Sequence, residues 1–213
     1  AEKSTSYDLG HRAKNKSGKF ELVVFYNDYK DFISTQSLPE KTPRKQHFTH
    51  VNLDEVEIKG VEFSNTLLID KLFGAPEGTY TTFSIAYAEG EDTKKNEKLT
   101  SVAPLTSVVG LGYDNYENKF GGLATIKMVA SKTDWPTENY KYEDSAGYGV
   151  VDVTAYYQPI NDLTLRAGLF NAFDKKYWQY DDFTVDSSAK TASYKDRYSQ
   201  PGRNWGVSLD YQF

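Results

Sequence analysis

Gly202-Arg-Asn-Trp-Gly-Val-Ser-Leu-Asp-Tyr-Gln-Phe213 closes the chain with an alternation that never slips. Trp205, Val207, Leu209, Tyr211 and Phe213 are apolar, and Asn204, Gly206, Ser208, Asp210 and Gln212 are small or polar. Successive side chains of a β-strand point to opposite faces, so this segment has one wholly apolar face and one polar face. A transmembrane β-strand needs roughly 9–11 residues, whereas strands of soluble domains usually have about 5–6. The segment is therefore expected to be a strand with one face in lipid and the other in a wet lumen.

Working back from this strand, the same two-faced pattern recurs. Leu163–Phe170 sets Leu163, Leu165, Ala167 and Leu169 against Thr164, Arg166, Gly168 and Phe170, and Gly149–Gln158 sets Val151, Val153, Ala155 and Tyr157 against Asp152, Thr154, Tyr156 and Gln158. Gly121–Ser131, Leu105–Tyr113, Tyr80–Tyr87, Val56–Ile69 with a lead-in at His47–Val51, Phe20–Tyr29 and Ser4–Arg12 complete the set. Phe20–Tyr29 has the weakest pattern, because Val23 and Phe25 fall on its polar face. Short turns are expected at residues 14–18, 70–78, 114–119 and 159–162, and long polar loops at 31–47, 89–104, 132–148 and 171–201. In an up-and-down meander the short turns share one end and the long loops the other, as in outer-membrane barrels. No useful helical period interrupts the series.

Composition excludes several classes. The 213 residues carry a net charge of −5 and no cysteine, which removes disulfide frameworks and thiolate metal sites. An acidic balance without basic runs argues against a nucleic-acid partner. Mean hydropathy is −0.65, a value that alternating barrel strands share with soluble proteins. The 17 tyrosines suit the aromatic girdles of a barrel. A soluble sandwich or lipocalin-like barrel is the competing fold. Against it stand the glycines and serines opposite the apolar faces, the aromatics at strand ends, and mid-strand charges on the polar faces. Glu62, Lys127, Asp152, Arg166 and Asp210 need water or a polar interior, and are expected to face the lumen.

The fold class expected is thus all-β, an antiparallel up-and-down transmembrane barrel segment of about nine strands. Bacterial single-chain barrels close with an even number of strands, and open edges are untenable in lipid. The expectation is that residues 1–213 form the C-terminal portion of a larger barrel.

Leu163-Thr-Leu-Arg-Ala-Gly-Leu-Phe-Asn-Ala-Phe-Asp-Lys-Lys-Tyr177-Trp178, followed by Arg197-Tyr-Ser-Gln-Pro-Gly-Arg-Asn-Trp205 and the aromatic terminus, resembles the end of a TonB-dependent outer-membrane receptor. Gly60-Val-Glu62 and Glu2-Lys-Ser-Thr-Ser-Tyr-Asp-Leu-Gly10 fit the same family, and the stretch to Tyr177-Trp178 resembles its haem and haemoglobin branch. The resemblance implies a barrel of about 22 strands with a plugged lumen, with the plug and the earlier strands lying upstream. It implies import without covalent catalysis or a covalently bound cofactor, with haem as transported ligand. The partners it implies are outer-membrane lipid, the TonB complex acting through the plug, and a haem-carrying host protein. Phe213 resembles the C-terminal signal read by barrel-assembly machinery. The location implied is the bacterial outer membrane. An outer-membrane barrel enzyme, a passive porin or adhesin, and a siderophore as the ligand are the alternatives.

Candidate binding residues lie in the long loops: His47, His50, Trp135 and Tyr194. His47 and His50 stand at an i, i+3 spacing, which on a strand sends the two imidazoles to opposite faces and disfavours a shared metal. Asp181 and Asp182 beside Tyr177, Trp178 and Tyr180 suggest an acid pair, but no nucleophile or orienting partner accompanies them, so a solvated loop is the simpler reading. The isolated 213 residues are expected not to insert as a closed pore; stable discrete single-channel conductance in a planar bilayer would contradict this.

Overall fold

The lipid-compatible face foreseen for the last strand runs across a whole sheet. The computed structural model describes residues 2–38, 47–135, 144–182 and 196–213. Its strands are β1 (Lys3–Asn15), β2 (Gly18–Leu38), β3 (His47–Leu68), β4 (Thr79–Asp92), β5 (Glu97–Lys98), β6 (Thr106–Asn115), β7 (Phe120–Val129), β8 (Tyr148–Ile160), β9 (Leu163–Phe170) and β10 (Asn204–Tyr211), with one short helix, α1 (Ile69–Phe73). Among the described residues these form one antiparallel sheet in the order β1-β2-β3-β4-β6-β7-β8-β9-β10, with β5 added to β4. The main path has nine strands, each paired with its neighbours in sequence apart from the small β5 detour.

Register aligns the apolar faces into rows. Leu9, Val24, Val61 and Tyr87 lie side by side on β1 to β4. Phe83, Val109, Ile126 and Val151 continue on β4 to β8, and Val153, Leu169 and Trp205 on β8 to β10. A one-residue slip anywhere would send a strand's apolar set to the wrong face. These rows are exposed rather than packed, from Leu9 at 78% and Trp205 at 76% on the edge strands to Val24 at 48% and Ile126 at 37% within the sheet. The only buried apolar side chains among the described residues are Val56, Leu99 and Val150. A sandwich would bury such a face against a second sheet; this sheet leaves it for lipid.

The opposite face is built from small residues with aromatic rings laid over them. Gly112 lies under the Tyr80 ring, and a Cβ at Gly121 would sit 2.6 Å from Tyr156 Cε1. Tyr156 Oη donates to Asp114 Oδ1 at 2.9 Å. Tyr156 thus belongs to the polar face and not to the lipid girdle, where its half-exposed neighbour Tyr157 stands. Phe25, which weakened the pattern of β2, lies against Gly60 in the same way.

The turn ends also differ from expectation in detail. In the segment 31–47, expected as a loop, the described residues are strand: β2 runs on to Leu38 and β3 begins at His47. The register steps from Lys30 opposite Glu55 to Phe32 opposite Leu53, with Asp31 at φ 56°. His47 and His50 are therefore strand residues, opposite Leu38 and Thr35. Beyond the membrane both faces of a hairpin meet water, so its sequence loses the alternation that marks a strand. The same reason accounts for β4 continuing to Asp92 and pairing with β5 where a charged loop was expected. The turn 70–78 contains α1, closed by Gly74 at φ 66°. Asp70 Oδ2 accepts Gly78 N at 2.9 Å, and this bond, with Lys71 alongside, holds its carboxyl below the usual carboxylate range.

The four short connections share one end of the sheet, and β10 finishes there, with Gln212 N donating to Asp162 O at 2.9 Å. The long connections share the other end. By the asymmetry of outer-membrane barrels the short turns are periplasmic and the long ones extracellular.

Gly121→Val forces a branched side chain into the Tyr156 ring and should cost about 1–3 kcal/mol. In the full-length protein this should appear as a lower temperature for loss of the fast-migrating folded band in detergent gels. Gly149→Ala, whose Cβ would meet Lys127 O at 3.9 Å, should leave that temperature unchanged.

Candidate functional site at the outer loops and the polar face

The segment between β9 and β10 is fastened by two short side chains. Asn171 is 3% exposed and sits at φ 50°, a conformation asparagine tolerates better than most residues. Its Nδ2 donates to Lys175 O at 2.8 Å and to Pro201 O at 3.1 Å, and its Oδ1 accepts Lys175 N at 2.7 Å. Three residues on, Asp174 Oδ1 accepts Arg203 N at 2.8 Å. The two stretches Asn171–Tyr177 and Pro201–Arg203 are thus one clasp, which brings the end of β9 to the start of β10. Sequence reading found both motifs but could not see that they bind each other.

Around the clasp the outer loops are tied together. Gln200 N donates to Tyr177 O at 2.9 Å, and the Tyr177 and Tyr148 rings lie 4.4 Å apart. Tyr180 Oη donates to Ser101 O at 3.1 Å, joining this loop to the one between β4 and β6. Burial raises the Tyr177 and Tyr180 phenols, with neighbouring aspartates adding to the shift. Asp182 accepts Gln179 N at 2.6 Å and the Gln200 side chain at 3.0 Å. It is a loop brace, not half of an acid pair.

The sequence-nominated residues are dispersed. His47 and His50 lie on the outer extension of β3. Trp135 is half-buried beneath the ammonium of Lys132, which is 5.2 Å from its ring centroid. Lys132 itself is 3% exposed, pairs with Asp134 at 3.3 Å, and reaches Leu99 O at 3.5 Å. It fastens a third loop to the second. No sequence signal distinguished Lys132 from the other lysines, because its burial depends on loops far apart in the chain. Tyr194 lies outside the described residues. Among the described residues no cluster of three His, Asp or Glu side chains could hold a metal ion.

On the polar face, Arg12 Nη2 meets Glu21 Oε1 at 2.6 Å across β1 and β2. Arg166 pairs with Asp210 between β9 and β10, and Asp152 Oδ1 accepts Asn171 N at 2.8 Å, connecting this face to the clasp. Glu62 and Lys127 stand in the same polar rows, beside Ala86 and Val108. Over the glycine-rich part of β8 to β10 opens a cavity of about 560 Å³ lined by Tyr80, Tyr156, Arg166, Phe170, Gly206 and Ser208. At the opposite extreme Phe213 is fully exposed, edge-on to Tyr211 at 5.2 Å.

This architecture is that of an outer-membrane receptor barrel. The family described as "TonB dependent receptor-like, beta-barrel" matches residues 1–172, and the chain belongs to it. Its place is the bacterial outer membrane. Among similar proteins, the "Probable hemoglobin and hemoglobin-haptoglobin-binding protein 4" of Haemophilus influenzae is 29% identical over 92% of this chain and 22% of its own length. The "Hemoglobin-haptoglobin utilization protein B" of Neisseria meningitidis is 26% identical over 100% of this chain and 31% of its own. The chain therefore spans between a fifth and a third of these relatives. The solved structure of the "Copper transporter OprC" superposes with a TM-score of 0.83 at 23% identity, over 100% of this chain and 31% of that one, a likeness of fold.

Asn171→Ala leaves three backbone groups of the clasp without their partner and should destabilise the loop by about 1–3 kcal/mol. The expected outcome is faster protease cleavage within residues 171–203 of the full-length receptor, with the barrel itself resistant. Tyr180→Phe, which removes a single tie, should have a smaller effect.

Proposed function

We propose that this chain is the C-terminal part of the barrel of an energy-coupled outer-membrane importer of iron, carried as haem and taken from haemoglobin or a related host protein. The observation that carries the reading is the similarity, over nearly the whole chain, to receptors whose names specify haemoglobin and haemoglobin–haptoglobin. In this reading the outer loops receive the ligand and the polar face lines the lumen. Glu62, Lys127, Asp152, Arg166 and Asp210 are then lumen charges. An upstream plug, moved by the TonB complex, gates passage, and Phe213 serves barrel assembly. The chemistry is binding and gated passage. A barrel enzyme gains no support from Asp181 and Asp182, since Asp182 is engaged with Gln179 and Gln200.

His47 and His50 are proposed as contacts for the incoming ligand on the projecting β2–β3 hairpin. Their strand placement makes them independent contacts rather than a chelating pair. Haem titration and haem-dependent growth with the full-length receptor test both levels of the proposal. Saturable haem binding and uptake are expected, weakened in His47→Ala and His50→Ala. Absence of both in the unmutated receptor sinks the haem assignment, as would uptake of a siderophore in its place. Survival of both in the two variants sinks only the histidine contacts.

A further inference from the structure

Two lysines face each other beside the first short turn. Lys14 of β1 and Lys19 of β2 are direct partners in the register, an arrangement that brings Cβ atoms to about 4.5–5.5 Å. Both are exposed. They lie on the polar face with Arg12 and Glu21, the partners two positions further along the same strands. Arg12 Nη2 meets Glu21 Oε1 at 2.6 Å, so the nearest carboxylate is already taken. Among the described residues Lys14 and Lys19 form no ion pair, and Lys16 in the turn adds a third charge of the same sign. Like charges directly opposite in a sheet are destabilising. The chain has 30 acidic residues to 25 basic ones, so a shortage of acids does not account for the pair.

What surrounds the pair suits an anion. Lys14 and Lys19 line a cavity of about 460 Å³ whose floor includes Ser64, Thr66, Thr82 and Ser84. Register carries the polar face from Lys19 to Thr66 and Thr82, and from Glu21 to Ser64 and Ser84. Ammonium groups and hydroxyls all donate hydrogen bonds, and two ammonium groups side by side match a ligand with two negative charges. The cavity lies at the short-turn end of the sheet, which is the periplasmic end. We infer that Lys14 and Lys19 form an exit subsite for the carboxylates of the transported ligand. The inference rests on the proposed function, in which haem brings two propionate carboxylates. Lysine suits such a step: its ammonium is a mobile point charge, whereas the arginine fork holds a carboxylate in fixed geometry. A site on a passage must also bind weakly enough to let its occupant leave.

Lys14→Gln/Lys19→Gln removes two unpaired charges and their repulsion, so the full-length receptor should keep or slightly raise its melting temperature. A clear fall would show that a carboxylate of the protein itself, such as one from the plug, already holds the lysines, and overturns the inference. In cells supplied with haem, the double variant should bind haem at the surface as the unmutated receptor does and take it up about tenfold more slowly, about threefold for each exposed ion contact. Haem dimethyl ester, which lacks both charges, should enter at the same rate in the two receptors. Undiminished haem uptake, or an equal slowing of the ester, overturns the inference. A dye on Ser64→Cys in the detergent-solubilised full-length receptor reads the site without haem. Succinate should give a saturable response that weakens with salt and is lost in the double variant, while succinamide gives none. Silence towards succinate, or the same response without the lysines, overturns the subsite. Should the unmutated receptor take up no haem while the dye still reports lysine-dependent succinate binding, the haem assignment fails and the carboxylate subsite stands.

Discussion

In the hydrocarbon of a bilayer no water is available to a backbone N–H or C=O, so each must find its partner within the protein. Every feature of this chain follows from that demand. The nine-strand path satisfies it by pairing each strand with the next over eight or more positions in most cases. With the ladder fixed, the side chains on one face are given to lipid and those on the other to a polar interior. The usual economy of a globular protein is inverted: large apolar side chains are exposed, and the few buried groups, including Val56, Asp92, Lys132 and Asn171, gather at the long-loop end. β1 and β10 bound the described sheet, and in lipid such edges need further strands.

Where the ladder ends, side-chain hydrogen bonds take over. The clasp of Asn171 and Asp174, the Lys132 contacts and the Tyr180 tie hold loops that water would otherwise leave free. On the polar face, rings stacked on glycines and cross-strand charge pairs do the equivalent work. Asp152 links the two regions, since it lies in a polar row and accepts the backbone N–H of Asn171. A chain of hydrogen bonds therefore runs from the polar face to the outer loop that closes on β10.

The membrane-spanning parts were legible because lipid on one side and polar surroundings on the other impose a period of two on the sequence. β8, β9 and β10 could be drawn almost residue by residue. The hairpin extension of β2 and β3 was not legible, since outside the bilayer both faces are wet and Thr35, Thr49 or His50 carry no facial preference. Tyr156 was legible as a polar-face residue from its alternation with Tyr157, but its pairing with Asp114, 42 residues away, was not.

The last strand shows the division most clearly. Sequence alone determined that Trp205, Val207, Leu209, Tyr211 and Phe213 share a face, because alternation is a property of the extended backbone. It also determined, through the motifs at Asn171–Tyr177 and Pro201–Arg203, which family the strand resembles. Only the tertiary structure decided that those motifs grip each other, that Arg166 and Asp210 pair, and that Lys132 is buried. Each of these joins residues distant in the chain, and a local pattern has no means of recording which distant groups will meet.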